Sequence, residues 1–126
     1  MPATVFVINS DNDERKWIAA TLASGAHEIV FLADLPELFA RASVPPPACL
    51  LTSAEPDPAA TLDLVRELRA GSSTLPVIVL GAHSAFRTAV DIARLPATDF
   101  LERPVSSRQL RLAIRKALQL PSVNGH

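Results

Sequence analysis

The stretch Ala48-Cys49-Leu50-Leu51-Thr52-Ser53-Ala54-Glu55-Pro56 sets the tightest limit on what this chain can fold into. A short continuous apolar run that breaks off at a small polar residue and then a proline reads as a buried strand delivering its last side chain to an open edge. Three further runs end in a similar way: Val5-Phe6-Val7-Ile8 before Asn9-Ser10, Val77-Ile78-Val79-Leu80 before Gly81, and Asp99-Phe100-Leu101 before Glu102-Arg103-Pro104. Strands without polar alternation are covered on both faces, as in a parallel sheet flanked by helices. Ligands and chemistry gather at the carboxyl ends of such strands, so the residues that end these runs are the candidates for function.

Helical spacing fills the intervals. Asp11 or Asp13 caps a helix in which Ile18 and Leu22 lie four apart and Gly25 supplies the stop, with Trp17 packing at its margin. Glu28-Ile29-Val30-Phe31 is a short second strand, after which Asp34 and Pro36 open a helix carrying Leu35, Leu38 and Phe39. Pro45-Pro46-Pro47 is a stiff surface connection. After Pro56 and Pro58, Leu64, Val65 and Leu68 share a helical face that runs to Gly71, and Ser72-Ser73-Thr74 turn the chain into the fourth strand. His83 or Ser84 caps a helix bearing Phe86, Ala89, Val90 and Ala93, which Leu95-Pro96 should end. Ser106 and Gln109 have capping-box spacing before a helix with Leu110, Ala113, Ile114 and Ala117 inward and Arg108, Arg111, Arg115 and Lys116 outward. Five strands alternating with five helices predict a flavodoxin-like (βα)5 doubly wound parallel sheet; right-handed crossovers leave few strand orders, of which 2-1-3-4-5 is the one expected here. Its switch point lies between the first and third strands, so Asn9, Ser10 and Ser53 should share one crevice.

With 126 residues, 48% of them hydrophobic, the chain has the apolar content of one domain. Residues 1–120 are expected to form it, with 121–126 a tail or linker stump. The formal charge of −1, without a basic run, leaves no electrostatic footprint for nucleic acid or an anionic membrane. Cys49, the single cysteine, lies inside an apolar run and reads as a buried hydrophobe. His27, His83 and His126 are not at metal-ligand spacing, so no metal cluster is expected. Without a charged signal region or a run of about 18 apolar residues, a soluble cytoplasmic protein is expected.

Thr4-Val5-Phe6-Val7-Ile8, Cys49-Leu50-Leu51, Leu62 through Leu68, Leu75-Pro76-Val77-Ile78 and Asp99-Phe100-Leu101-Glu102 together resemble the receiver domains of two-component response regulators, within them the FixJ-like branch. Receivers take phosphate on an aspartate ending the third strand, hold Mg²⁺ with it and an acidic pair after the first strand, and stabilise the phosphoryl group with a hydroxyl residue and a lysine. The resemblance puts Ser53 at the phosphoacceptor position, Asn9 and Ser10 at the acidic pair, Gly81 at the threonine position and Arg103 at the lysine position. Pro104 retains the proline of the Lys-Pro pair, and the resemblance implies a cis bond before it. Phe100 falls at the aromatic that swings inward with the threonine; with Gly81 carrying no hydroxyl, it should hold one rotamer.

These positions imply a degenerate receiver. Mg²⁺ wants carboxylate oxygens, whereas Asn9, Ser10 and Ser53 are neutral; the four family charges of −2 become +1 here, so the pocket should change sign. Asp11, Glu55 and Asp57 are expected to pair with Arg103, or else to form a displaced metal site; sequence leaves open whether Arg103 rests on a neighbouring acid or holds a solvent anion. The leading expectation is therefore a signalling module in bacterial two-component signalling, not an enzyme and without a cofactor, working through protein contacts with a histidine kinase, an effector domain or another regulator. The family dimerises through its fourth helix, fifth strand and fifth helix, a surface bearing here Phe86, Arg87, Asp91, Arg94, Arg108, Arg111, Arg115 and Lys116. The alternatives are a ligand- or anion-sensing module using the uncharged crevice, and an enzyme of flavodoxin-like fold. Against the enzyme, the chain has no Gly-rich phosphate loop and no nucleophile elbow.

Overall fold

The computed structural model describes residues 3–23, 25, 27–40, 47–55, 57–71 and 74–119, with backbone alone at residues 35, 39, 85 and 86. Pro45, Pro46, Pro56, Ser72, Ser73 and the tail 121–126 lie outside the described residues, as do the side chains of Leu35, Phe39 and Phe86. Five strands, β1 (Ala3–Ile8), β2 (His27–Leu32), β3 (Ala48–Ser53), β4 (Val77–Gly81) and β5 (Thr98–Glu102), form one sheet in the order β2-β1-β3-β4-β5. Every pair is parallel, with Val5 opposite Cys49, Leu51 opposite Ile78 and Val79 opposite Phe100.

Side chains along each strand alternate between two cores because strand periodicity is two. Val5, Val7, Cys49, Leu51, Ile78 and Leu80 face α1 (Asn12–Leu22) and α5 (Ser107–Gln119), which bring Ile18, Leu22, Leu110 and Ile114 to them. Phe6, Leu50, Val77 and Val79 face the opposite way, onto α2 (Leu35–Phe39), α3 (Pro58–Ala70) and α4 (Phe86–Ala93), which supply Leu38, Leu62, Val65, Leu68 and Ile92. Each fully buried Leu or Ile is worth about 1.5–3 kcal/mol relative to exposure, so both faces of the central strands are committed. Cys49 is buried, and burial pushes its thiol up to about 12; Trp17 packs at the margin of the α1–α5 core.

The helix starts follow local chemistry. Asp11, Asp34 and Asp57 each accept a hydrogen bond from the backbone N–H three residues on, and Ser106 and Gln109 cap each other reciprocally. α4 departs from expectation: a 3-10 turn at His83–Ala85 precedes it, so the helix begins at Phe86 without a His83 or Ser84 cap. Ile92 becomes its buried anchor, while Ala93 is exposed. Its end is fixed by Thr98, whose hydroxyl donates to the carbonyls of Ile92 and Leu95, and by Arg69, which donates to those of Pro96 and Ala97.

Candidate site at the carboxyl edge of the sheet

Because Ile8 pairs with Thr52, the next residues of β1 and β3, Asn9 and Ser53, come side by side at the carboxyl edge. Asn9 is buried; its Oδ1 accepts from the Asp11 N–H at 2.8 Å and its Nδ2 donates to Glu14 Oε1 at 2.7 Å. Ser53 Oγ accepts from the Glu55 N–H at 3.2 Å, and its carbonyl accepts from the Thr61 hydroxyl at 2.8 Å. Ser10 is exposed and lines, with Asn9, Ser53 and Glu55, a cleft of about 560 Å³ whose far wall includes Phe31 and Leu64. Gly81 ends β4, and its carbonyl accepts the Arg103 N–H at 2.8 Å, drawing the residue after β5 to the same rim. The Arg103–Pro104 bond is cis.

Arg103 is the centre of this rim. Its Nε and Nη2 donate to the two oxygens of Glu14 at 3.0 and 2.6 Å, a bidentate fork. Nη2 also donates to Ser53 Oγ at 2.9 Å, and Nη1 donates to Glu55 Oε1, whose other oxygen accepts the Ala82 N–H at 3.2 Å. The pair with Glu14 is mostly withdrawn from solvent, at 26% and 18% side-chain exposure, which weakens screening. Burial pushes the Glu14 carboxyl up, but the Arg103 and Asn9 hydrogen bonds and the Arg103 charge together outweigh it and hold the group below its usual range. The hydrogen bonds that Arg103 donates to Glu14 raise its guanidinium in turn.

Two expectations are corrected here. Of Asp11, Glu55 and Asp57, only Glu55 reaches Arg103; the carboxylates of Asp11 and Asp57 are spent on the first turns of α1 and α3. The expected local charge of +1 also fails, because Glu14 and Glu55 each bring −1 against the +1 of Arg103, leaving −1. Sequence reading missed Glu14. Its position three residues after the Asp11 cap points elsewhere, since a Glu there ordinarily reaches back to the helix start. Glu37 does so in α2, accepting from the Ala33 N–H, and Gln109 does so in α5. Glu14 instead turns to Arg103 and Asn9.

Phe100 and Gly81 are matched in shape. A Cβ on Gly81 would stand 2.4 Å from Phe100 Cζ, 2.8 Å from Cε2 and 3.0 Å from the Ala54 Cβ, so the ring lies where a side chain at 81 would be. Phe100 packs against the α3–α4 core. Farther out, His83 Nδ1 lies 3.1 Å from Glu102 Oε2 in an exposed pair. Among the described residues no three His, Cys, Asp or Glu side chains converge as a metal site would require, and no helix is long and apolar enough to cross a membrane.

No family model matches the chain. Among curated proteins it is similar to the transcriptional regulatory protein FixJ of Azorhizobium caulinodans, 30% identical over 115 residues, covering 90% of this chain and 54% of FixJ. It is also similar to the alginate biosynthesis transcriptional regulatory protein AlgB of Pseudomonas putida, 41% identical over 59 residues, covering 47% of this chain and 13% of AlgB. The chain thus spans about half of one relative and a small part of the other. Among solved structures, the crystal structure of FixJ-N superposes with a TM-score of 0.82 at 23% identity, covering 98% of this chain and 99% of that one.

Proposed function

From the premise that the chain has the receiver-domain fold of response regulators, we propose that it is a pseudo-receiver, a signalling module that works through protein contacts and does not accept phosphate at its rim. The observation that carries this reading is Arg103 bound at once to Glu14, Glu55 and Ser53. Phosphoryl transfer requires a nucleophile in line with the donor and a cation spreading charge from the equatorial oxygens. Ser53 Oγ already accepts from the Glu55 N–H and the Arg103 guanidinium, and the two carboxylates that share that guanidinium, Glu14 and Glu55, are ion-paired and so poorly suited to act as its base.

The donor set does not fit a hard divalent cation. Asn9 and Ser10 are neutral, the Asn9 oxygen is held by the Asp11 N–H, and both rim carboxylates face a guanidinium. Partners in this reading are a histidine kinase, an effector domain or another regulator, and a homodimer through α4, β5 and α5 is compatible with the exposed Arg87, Arg94 and Arg108. Incubation with acetyl phosphate and Mg²⁺, followed by intact mass, tests the proposal. The expected result is an unmodified mass, and a phosphoryl adduct would overturn it.

A further inference from the structure

At the amino edge of the sheet, opposite the rim, the end of α1, the start of β2 and the second half of α5 enclose a pocket of about 410 Å³. Arg111 and Arg115, about one helical turn apart, line it from α5, and Thr21, His27 and Gln119 complete its polar lining. Every one of these side chains can donate a hydrogen bond, and no carboxylate lines the pocket among the described residues.

Two independent observations bear on what such a lining would hold. Arg111 and Arg115 are in no ion pair among the described residues, and at four residues apart on one helix they repel each other. The carboxyl ends of α1 and α5 bring about −0.5 each, which the two guanidinium groups outweigh. The second observation is His27. Its ring is seated on Gly25, where an added Cβ would stand 2.1 Å from Cε1 and 2.6 Å from Nδ1, and its Nε2 is withdrawn from solvent with no hydrogen-bond partner. A buried ring nitrogen ordinarily has a partner, and an oxyanion between the arginines would supply an acceptor to all three side chains.

We propose that this pocket is a binding site for a phosphate group, free or carried by a small phosphomonoester, held by Arg111 and Arg115 with Thr21, Gln119 and His27 as further donors. A guanidinium offers paired N–H groups that take two oxygens of an oxyanion at once. A carboxylate presents two oxygens in one plane and matches one such fork, whereas a tetrahedral phosphate presents oxygens on several sides, meets both forks and brings up to two negative charges. The volume exceeds what a bare phosphate fills and leaves room for the organic part of an ester. This pocket is separate from the rim, so its occupation is independent of whether Ser53 accepts a phosphoryl group.

The test titrates the intact chain with inorganic phosphate and with phenyl phosphate at constant pH and ionic strength, followed by calorimetry and by the ring resonances of His27. Saturable binding that shifts the His27 ring is expected, with acetate about tenfold weaker or more. Tighter binding of phenyl phosphate identifies an ester as the better ligand, and equal binding the free anion. Arg111→Gln with Arg115→Gln should weaken phosphate binding about tenfold or more, and Gly25→Ala, which must displace the His27 ring, should also weaken it. Arg108→Gln, on the same helix but outside the pocket lining, should leave it unchanged. No saturation with either probe, indifference to the double substitution, or acetate binding as tightly as phosphate would each overturn the proposal.

Discussion

Arg103 serves four acceptor oxygens with one planar group, a task that a lysine's single ammonium cannot perform together. Arg103→Met should therefore leave Glu14 and Glu55 without their cation and lower stability by about 1–3 kcal/mol, read as a shifted urea midpoint, with Arg103→Lys intermediate. The same variant should gain weak Mn²⁺ binding by calorimetry, since two unneutralised carboxylates then share the rim. The Glu14 carboxyl titrates below its ordinary value of 4.5, so its contribution is present above that pH and is lost as pH falls through the depressed value. Denaturation followed from about pH 6 downward should show less acid destabilisation in Glu14→Gln than in the parent; equal slopes would remove Glu14 from the account. At Gly81, a threonine must displace the Phe100 ring, so Gly81→Thr is expected to cost about 1–3 kcal/mol, and Phe100→Ala in that background should recover part of it.

Among the elements, what could be read from sequence is what depends on near neighbours. Asp11, Asp34 and Asp57 announce helix starts because a cap and its N–H are three residues apart. Replacing Asp57 with Ala should cost about 0.5–2 kcal/mol by thermal or urea unfolding, whereas Asp63→Ala, on an exposed position of the same helix, should be near neutral. The strands were equally legible, since Val5 to Val7 and Leu50 to Leu51 are apolar without interruption and a parallel sheet needs both faces covered. Where sequence reading failed, the deciding contact was distant: Glu14 and Arg103 are 89 residues apart, and nothing local to α1 says that Glu14 will abandon its own helix start. The 3-10 turn before α4 is a similar case, in which His83 reaches Glu102 across the rim and does not cap the helix that follows it.

At the scale of the whole molecule, alternation and crossover handedness narrowed the strand orders to a few, and the one adopted, β2-β1-β3-β4-β5, brings Asn9, Ser53, Gly81 and Arg103 to one edge. The sign of the charge there did not follow, because it depends on acids that α1 and the β3–α3 connection deliver from outside the strand ends. The central claim is that the rim is closed by its own guanidinium and has no use for a phosphoryl group or its metal. Backbone amide spectra recorded while beryllofluoride and Mg²⁺ are added test that claim most directly. The resonances of Asn9, Ser53, Gly81, Phe100 and Arg103 are predicted to stay in place at every concentration, and saturable shifts centred on these residues would contradict the account.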